Sequence, residues 1–164
     1  NNLNEDIVKN TTVRIKPEYT GWILDDYYKN LGIKNISYTN RTNIKKDLFN
    51  LISKNSLFIV SYDSTMFYEL LSLNIPSIIF FDEKYWRLNS KAKIHFNKLK
   101  EVNIYESSPE KLSNFINNTS LNEINKWWSN KNTQKIKDNF LHTYSRTDKK
   151  YLNKKFKIIK KNIE

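Results

Sequence analysis

The chain has 164 residues, of which 38% are apolar and 27% are charged, and its formal net charge is +11. This length is sufficient for a hydrophobic core, and no apolar run reaches the ~20 residues that a membrane-spanning helix needs. The absence of cysteine excludes disulfides, thiolate metal sites and cysteine nucleophiles, and it indicates a cytoplasmic protein.

The basic charge comes almost entirely from lysine. The sequence contains 24 Lys and 24 Asn but only four Arg. Joint enrichment in Asn, Lys and Ile is typical of an A+T-rich genome, whereas proteins that read nucleic acids depend on the planar fork of Arg. We therefore expect no nucleic-acid partner. Instead, we expect the positive charge to attract anionic substrates or an anionic membrane surface.

Strands and helices alternate along the chain. Strands are predicted over residues 11–16, 35–38, 57–60, 75–81 and 102–105. Helices are predicted over residues 22–31, 44–52, 66–73, 90–101 and 109–117, and from residue 121 onward. The mainly apolar runs at 57–60 and 75–81 are typical of strands that are buried on both faces. This order predicts an α/β fold, with a Rossmann-like open parallel sheet flanked by helices and a helical C-terminus.

Small polar residues follow the strand at residues 57–60. Ligands of open parallel sheets bind at the carboxyl ends of strands, and the amides of a helix N-terminus favour phosphate or another anion. Asp63, Ser64 and Thr65 stand at this point, and Glu69 follows on the same face of the helix, where it can accept from sugar hydroxyls. The alternative is that Asp63 or Ser64 only caps the helix and that Glu69 only complements the helix dipole.

Further side chains are candidates for the same ligand. Arg14 and Lys16 alternate with apolar residues, so they share one face of the first strand and can neutralise phosphate charge; a solvated strand edge is the alternative. Tyr62, Tyr85 and Trp86 lie near strand ends, where an aromatic ring can contact a base or a sugar. Plain packing is the alternative for Trp86.

No metal site is predicted. The two histidines, His95 and His142, have no His, Asp or Glu partner at the spacing of metal ligands. They also belong to no recognisable Ser-His-Asp arrangement. Trp127 and Trp128 are expected to anchor the last helices rather than to bind a ligand.

The chain is expected to end in a basic amphipathic helix over residues 148–164. This segment contains seven Lys, and Leu152, Phe156, Ile159 and Ile163 form an apolar stripe at helical spacing. Such a helix packs against protein or lies on an anionic membrane. The remaining residues, 1–147, are predicted to form one domain.

Several stretches in order resemble a known enzyme family. They are VRIKP at 13–17 with GW at 21–22, STMFYELLSLNIPSIIFF at 64–81, YWRL at 85–88, KEVNIYESSPE at 100–110, WWS at 127–129 and FLHTYSRT at 140–147. Together they resemble the carboxy-terminal half of GT-B glycosyltransferases, and more closely the bacterial surface-carbohydrate-biosynthesis transferases. The loop at 62–65 is also similar to the DYSS loop of the polyglycerol-phosphate polymerases of wall teichoic acid synthesis.

The resemblance implies that residues 1–147 bind a nucleotide-sugar donor, with no cofactor besides this substrate. In similar proteins the hydroxyls equivalent to Ser64 and Thr65 meet the phosphates, the acid equivalent to Glu69 lies near the ribose, and the arginine equivalent to Arg14 lies at the cleft between the halves. The half that carries the acceptor site is expected to be missing, since the chain begins with Asn1 rather than Met.

The expected function is therefore that of the donor-binding domain of a glycosyltransferase that builds bacterial surface polysaccharide and that is inactive as an isolated half. A glycerol-phosphate transferase using CDP-glycerol and a non-catalytic interaction module are the alternatives. The expected location is the cytoplasm, with peripheral contact to the inner face of the cell membrane as a further expectation.

Overall fold

The structure is a computed structural model that describes residues 2–15, 24–38 and 50–145. The strands are β1 (Thr12–Ile15), β2 (Asn35–Tyr38), β3 (Phe58–Val60), β4 (Ser77–Phe80) and β5 (Tyr105–Glu106). The helices are α1 (Glu5–Lys9), α2 (Leu24–Asn30), α3 (Thr65–Ser72), α4 (Ser90–Glu101), α5 (Pro109–Asn117), α6 (Leu121–Ser129) and α7 (Lys131–Tyr144), and residues 50–54 are also helical. The predicted α/β class, with parallel strands flanked by helices and helices after residue 121, is confirmed.

The chain divides into two compact units. The first comprises Asn1–Ser56 and Ser108–Ser120, and the second comprises Leu57–Ser107 and Leu121–Glu164. In the first unit β1 and β2 pair in parallel, from Thr12 opposite Asn35 to Ile15 opposite Tyr38.

The second unit contains a parallel sheet in the order β3-β4-β5. The central strand, β4, is buried as predicted, since Ser77, Ile78 and Ile79 are at most 1% exposed. The prediction of burial on both faces is wrong for β3, whose Ile59 is 45% exposed. The physical reason is position: β3 lies at an edge of this three-stranded sheet within the described residues, so it has a single neighbouring strand.

Helix α3 connects β3 to β4 in this sheet, and α4 connects β4 to β5. Helix α7 then packs against both of them. Its Phe140 is 2% exposed, and its ring centroid lies 6.1 Å from that of Phe67 on α3 and 5.3 Å from that of Phe96 on α4.

Three helices end in a residue with positive φ, namely Gly32 at 85°, Asn74 at 58° and Asn103 at 58°. After α4, the amide of Asn103 donates to the carbonyl of Lys100 at 3.2 Å, and the next amide, that of Ile104, donates to Leu99 at 2.9 Å. The same pair of bonds closes α2 and α3. This Schellman geometry satisfies the last carbonyls of each helix and turns the chain directly toward the following strand.

The same turn explains where β5 begins. The sequence predicts a strand from residue 102, but Val102 is the C-cap of α4 and Asn103 has a left-handed backbone, so strand pairing starts only at Tyr105.

Within the described ranges, no helix has both the length and the apolar character required to cross a membrane.

We expect Asn103→Ala to lower the free energy of unfolding by about 1 kcal/mol, because a left-handed backbone is less favourable in free energy for alanine than for asparagine. Asn103→Gly should leave the stability unchanged or raise it, since glycine has no Cβ to clash. Urea denaturation measures both. The matched control is Asn97→Ala, at an exposed position inside α4, and equal losses at both positions would contradict the role of the turn.

Candidate functional site

The strands of the second unit all end at one edge of its sheet, which we call the carboxyl edge. Residues 61–64 follow β3, residues 81–89 follow β4 and Ser107 follows β5. Because the strands are parallel, these segments lie along the same edge. The topology therefore brings together most of the candidate donor-site residues from two separate stretches of the sequence: Tyr62, Asp63, Ser64, Thr65, Tyr85 and Trp86.

The start of α3 differs from an ordinary capped helix. Ser64 occupies the N-cap position in an extended conformation, with φ −133° and ψ 156°, but within the described residues its side chain makes no capping hydrogen bond. Its carbonyl accepts from the amide of Phe67 at 3.0 Å. The structure therefore does not support the capping alternative for Ser64, because its half-buried hydroxyl makes no capping hydrogen bond to the helix.

Thr65 and Glu69 stand one turn apart on α3, and both are exposed. Residues at i and i+4 share a helix face, and side chains lean toward the N-terminus, so the Glu69 carboxylate extends toward Thr65. The predicted helical position of Glu69, four residues after Thr65, is confirmed. The two side chains present one hydroxyl and one carboxylate to solvent near the carboxyl edge.

Asp63 is held by a residue that the sequence analysis missed. The hydroxyl of Tyr68 donates to Oδ1 of Asp63 at 2.8 Å, and the Tyr68 ring stacks on Phe140 with centroids 5.9 Å apart and an interplanar angle of 10°. Burial first, and then the hydrogen bond to Asp63, raise the pKa of Tyr68 above its ordinary value. The only sequence signal for this contact is the position of Tyr68 five residues after an acid, Asp63.

The acids that follow β4 form hydrogen bonds to groups of the protein itself. Asp82 accepts from the amide of Lys84 at 2.8 Å and so shapes its own turn. Glu83 binds Lys93 at 3.0 Å and accepts from the buried Tyr105 hydroxyl at 3.3 Å. The hydrogen bond from Lys93 is the main cause that lowers the pKa of Glu83. These carboxylates stabilise the edge.

The aromatic candidates differ in exposure. Tyr85 is 79% exposed, Trp86 44% and Tyr62 40%. The ring of Trp86 also lies 6.5 Å from that of Phe81, so it packs on one side and faces solvent on the other. Tyr85 and Trp86 therefore offer accessible ring surface next to the strand end.

The basic candidates lie elsewhere in the chain. Arg14 is half-buried on β1, opposite Ser37, and belongs to the first unit. Lys16 lies outside the described residues, and so does the predicted helix at 148–164.

Three further residues considered from the sequence, His95, Trp127 and Trp128, have structural contacts, whereas the side chain of His142 is exposed. His95 meets the edge of the Tyr144 ring at 5.4 Å. Trp127 donates to the carbonyl of Val102 at 2.7 Å, and Trp128 donates to that of Asn74 at 2.9 Å, so the predicted anchoring role of both is confirmed. Within the described part of the chain, no group of three or more His, Cys, Asp or Glu side chains is placed to hold a metal ion.

Comparison with known protein families matches residues 1–158 to the LIC12162 family transferase. The chain belongs to this transferase family. Searches of curated proteins and of solved structures found no match. In this LIC12162 family transferase, Ser64 and Thr65 lie at the N-terminus of α3, at the carboxyl edge of the second unit.

We expect Ser64→Ala to change the free energy of unfolding by less than about 0.5 kcal/mol, because its hydroxyl makes no capping bond. Asn89→Ala is the matched comparison, since the Asn89 side chain accepts from the amide of Ala92 at 2.8 Å and caps α4. That variant should lose about 1 kcal/mol. Urea denaturation measures both, and an equal loss in the two variants would show that Ser64 is an ordinary cap.

The raised pKa of Tyr68 predicts a loss of stability at alkaline pH. A tyrosine whose pKa is raised by folding favours the native state below its unfolded pKa, with an ordinary value of 10.0, and this contribution is lost as pH rises through the folded pKa. We expect Tyr68→Phe to show a smaller fall in urea midpoint between about pH 9 and about pH 11 than the unmodified chain.

Tyr85→Phe is the control for this experiment, because Tyr85 is 79% exposed. The Tyr85→Phe variant should show the same fall in urea midpoint at alkaline pH as the unmodified chain. If Tyr68→Phe loses as much stability as Tyr85→Phe over this range, burial and the hydrogen bond to Asp63 do not raise the pKa of Tyr68 in solution.

Proposed function

We propose that this LIC12162 family transferase is the donor-binding half of a GT-B glycosyltransferase that uses a nucleotide-activated sugar to build bacterial surface polysaccharide. The observation that carries the proposal is the start of α3. Its N-cap residue, Ser64, keeps a hydroxyl that does not cap the helix, and Thr65 is exposed beside it. A donor phosphate at this point accepts from both hydroxyls and from the amides of the first helical turn.

Glu69 supports the assignment of the sugar-bearing part of the donor. A carboxylate is a poor partner for phosphate but a good acceptor from ribose hydroxyls. Glu69 is exposed on the same helix face as Thr65. A nucleotide with its phosphate at Ser64 and Thr65 then has its ribose beside Glu69, one helical turn away.

The exposed rings at the same edge fit the rest of a nucleotide. Tyr62, Tyr85 and Trp86 each keep 40% or more of their surface exposed, and stacking on an aromatic ring is tolerant of the identity of the base. Transfer requires stabilisation of the charge that develops on the departing phosphate, which hydroxyls and helix amides supply without a cofactor. The acceptor and the catalytic base would come from an amino-terminal half of the same enzyme.

The basic residues and the tail complete the proposal. Arg14 and Lys16 would add positive charge for the donor phosphates. The segment at 148–164 would pack against the other half or rest on an anionic membrane surface, so that the enzyme works in the cytoplasm beside the inner face of the membrane.

Calorimetric titration of the chain with UDP-, GDP- and CMP-sugars tests the proposal. We expect one nucleotide class to bind, and Ser64→Ala and Glu69→Ala each to weaken its binding about tenfold through loss of one polar contact. Matched controls are Ser90→Ala, at the exposed start of α4, and Glu101→Ala, at its exposed end. Absence of binding by all three classes, or unchanged affinity in both site variants, would overturn the site.

CDP-glycerol serves as the competing ligand in the same titration. The similarity of the loop at 62–65 to polyglycerol-phosphate polymerases makes it the second candidate donor. If CDP-glycerol displaces the sugar nucleotides and also depends on Ser64, the transferred group is glycerol phosphate rather than a sugar.

A further inference from the structure

A lysine is buried far from the candidate donor site. Lys137 on α7 is 5% exposed. Its ammonium donates to the amide oxygens of Asn74 at 2.6 Å and Gln134 at 2.7 Å. The nearest described carboxylate oxygen belongs to Asp138 at 3.4 Å, on a side chain that is 69% exposed. Neutral amide oxygens solvate this charge without cancelling it, so positive potential persists around it.

A pocket of about 560 Å³ adjoins this lysine. It is lined by Asn74, Asn125, Lys126, Trp128, Ser129 and Gln134, and it is here called the amide pocket. It is an open depression in the surface rather than an enclosed cavity. Asn74 precedes β4, so the pocket lies at the amino-terminal end of that strand, whereas the candidate donor residues lie at the carboxyl edge.

The chemistry of the amide pocket favours an anion. The described residues that line it include no carboxylate. The Asn74 oxygen faces the ammonium of Lys137, so the NH₂ group of that amide is turned to the opposite side, away from the ammonium. The indole of Trp128 is fixed by its bond to the Asn74 carbonyl at 2.9 Å, and Lys126 is exposed at the pocket wall.

We propose that the amide pocket is a second ligand site, which binds a small molecule bearing a carboxylate or a phosphate group. Lys126 pairs with the anionic group directly, the Asn74 and Asn125 amides donate to it, and the buried charge of Lys137 contributes through its field. A phosphate ester and a carboxylate-bearing sugar share this chemistry. The proposal does not depend on the donor site, since it uses other residues at the opposite end of β4.

Nuclear magnetic resonance of the ¹⁵N-labelled chain tests the site with three probes, which are inorganic phosphate, D-glucuronate and D-glucose. We expect phosphate, glucuronate or both, at about 10 mM, to shift the side-chain amide signal of Asn74 and the indole signal of Trp128. Glucose, which has the same ring without the charge, should leave both signals in place. The anionic probe that shifts them identifies the acid class.

Lys126→Ala is the decisive variant, because an exposed lysine can be truncated without harm to the core. It should weaken binding of the active probe about tenfold. Lys91→Ala, at an exposed position near the start of α4, should bind like the unmodified chain. Ser64→Ala should also bind normally, which separates this site from the donor site.

Three results would overturn the proposal. The first is that neither phosphate nor glucuronate shifts the Asn74 and Trp128 signals. The second is that glucose shifts them as much as glucuronate does. The third is that Lys126→Ala binds the active probe with unchanged affinity.

Discussion

The packing of Phe140 across α3 and α4 is the contact on which the second unit depends. One buried ring on α7 meets Phe67, Tyr68 and Phe96, with centroids between 5.3 and 6.1 Å away. Burying a phenylalanine contributes about 1.5–3 kcal/mol, and favourable aromatic pairs add about 0.5–1.5 kcal/mol each. The contact also reaches the candidate site, because the Tyr68 ring that stacks on Phe140 carries the hydroxyl that binds Asp63. Core packing thereby positions the loop at the carboxyl edge.

Two asparagines, Asn74 and Asn103, form the left-handed turns that end α3 and α4. Among residue types, asparagine is second only to glycine in tolerating a left-handed backbone. The chain has only two glycines. Asn74 does more than turn the chain, since its carbonyl accepts from Trp128 and its side chain accepts from Lys137. A glycine would supply the turn and the carbonyl but not the amide oxygen. A compositional bias therefore provides a polar anchor that joins α7 to the turn between α3 and β4.

Local signals in the sequence predict the elements, and distant contacts decide the rest. Helices α4 and α5 begin and end as predicted, because Asn89 caps one, Pro109 opens the other and each has a regular apolar stripe. The burial of β4 also follows from its apolar run. The exposure of Ile59 does not, because an apolar run does not reveal whether a strand stands at the centre or the edge of a sheet. The pairs Tyr68–Asp63 and Lys137–Asn74 depend on packing that no local pattern contains.

The distribution of charge favours uncharged hydrogen-bond donors as the source of selectivity in the proposed donor site at the carboxyl edge. The net charge of +11 attracts anions to the surface as a whole, but such attraction is screened within about 8 Å at physiological salt and does not select a position. Two lysines of α4 are paired with acids near the ends of β4 and β5, Lys93 with Glu83 at 3.0 Å and Lys100 with Glu106 at 3.5 Å. Hydroxyls and helix amides at the start of α3 can fix an anion in one orientation. In the proposed donor site, lysines would concentrate the ligand near the protein, and these donors would determine where it binds.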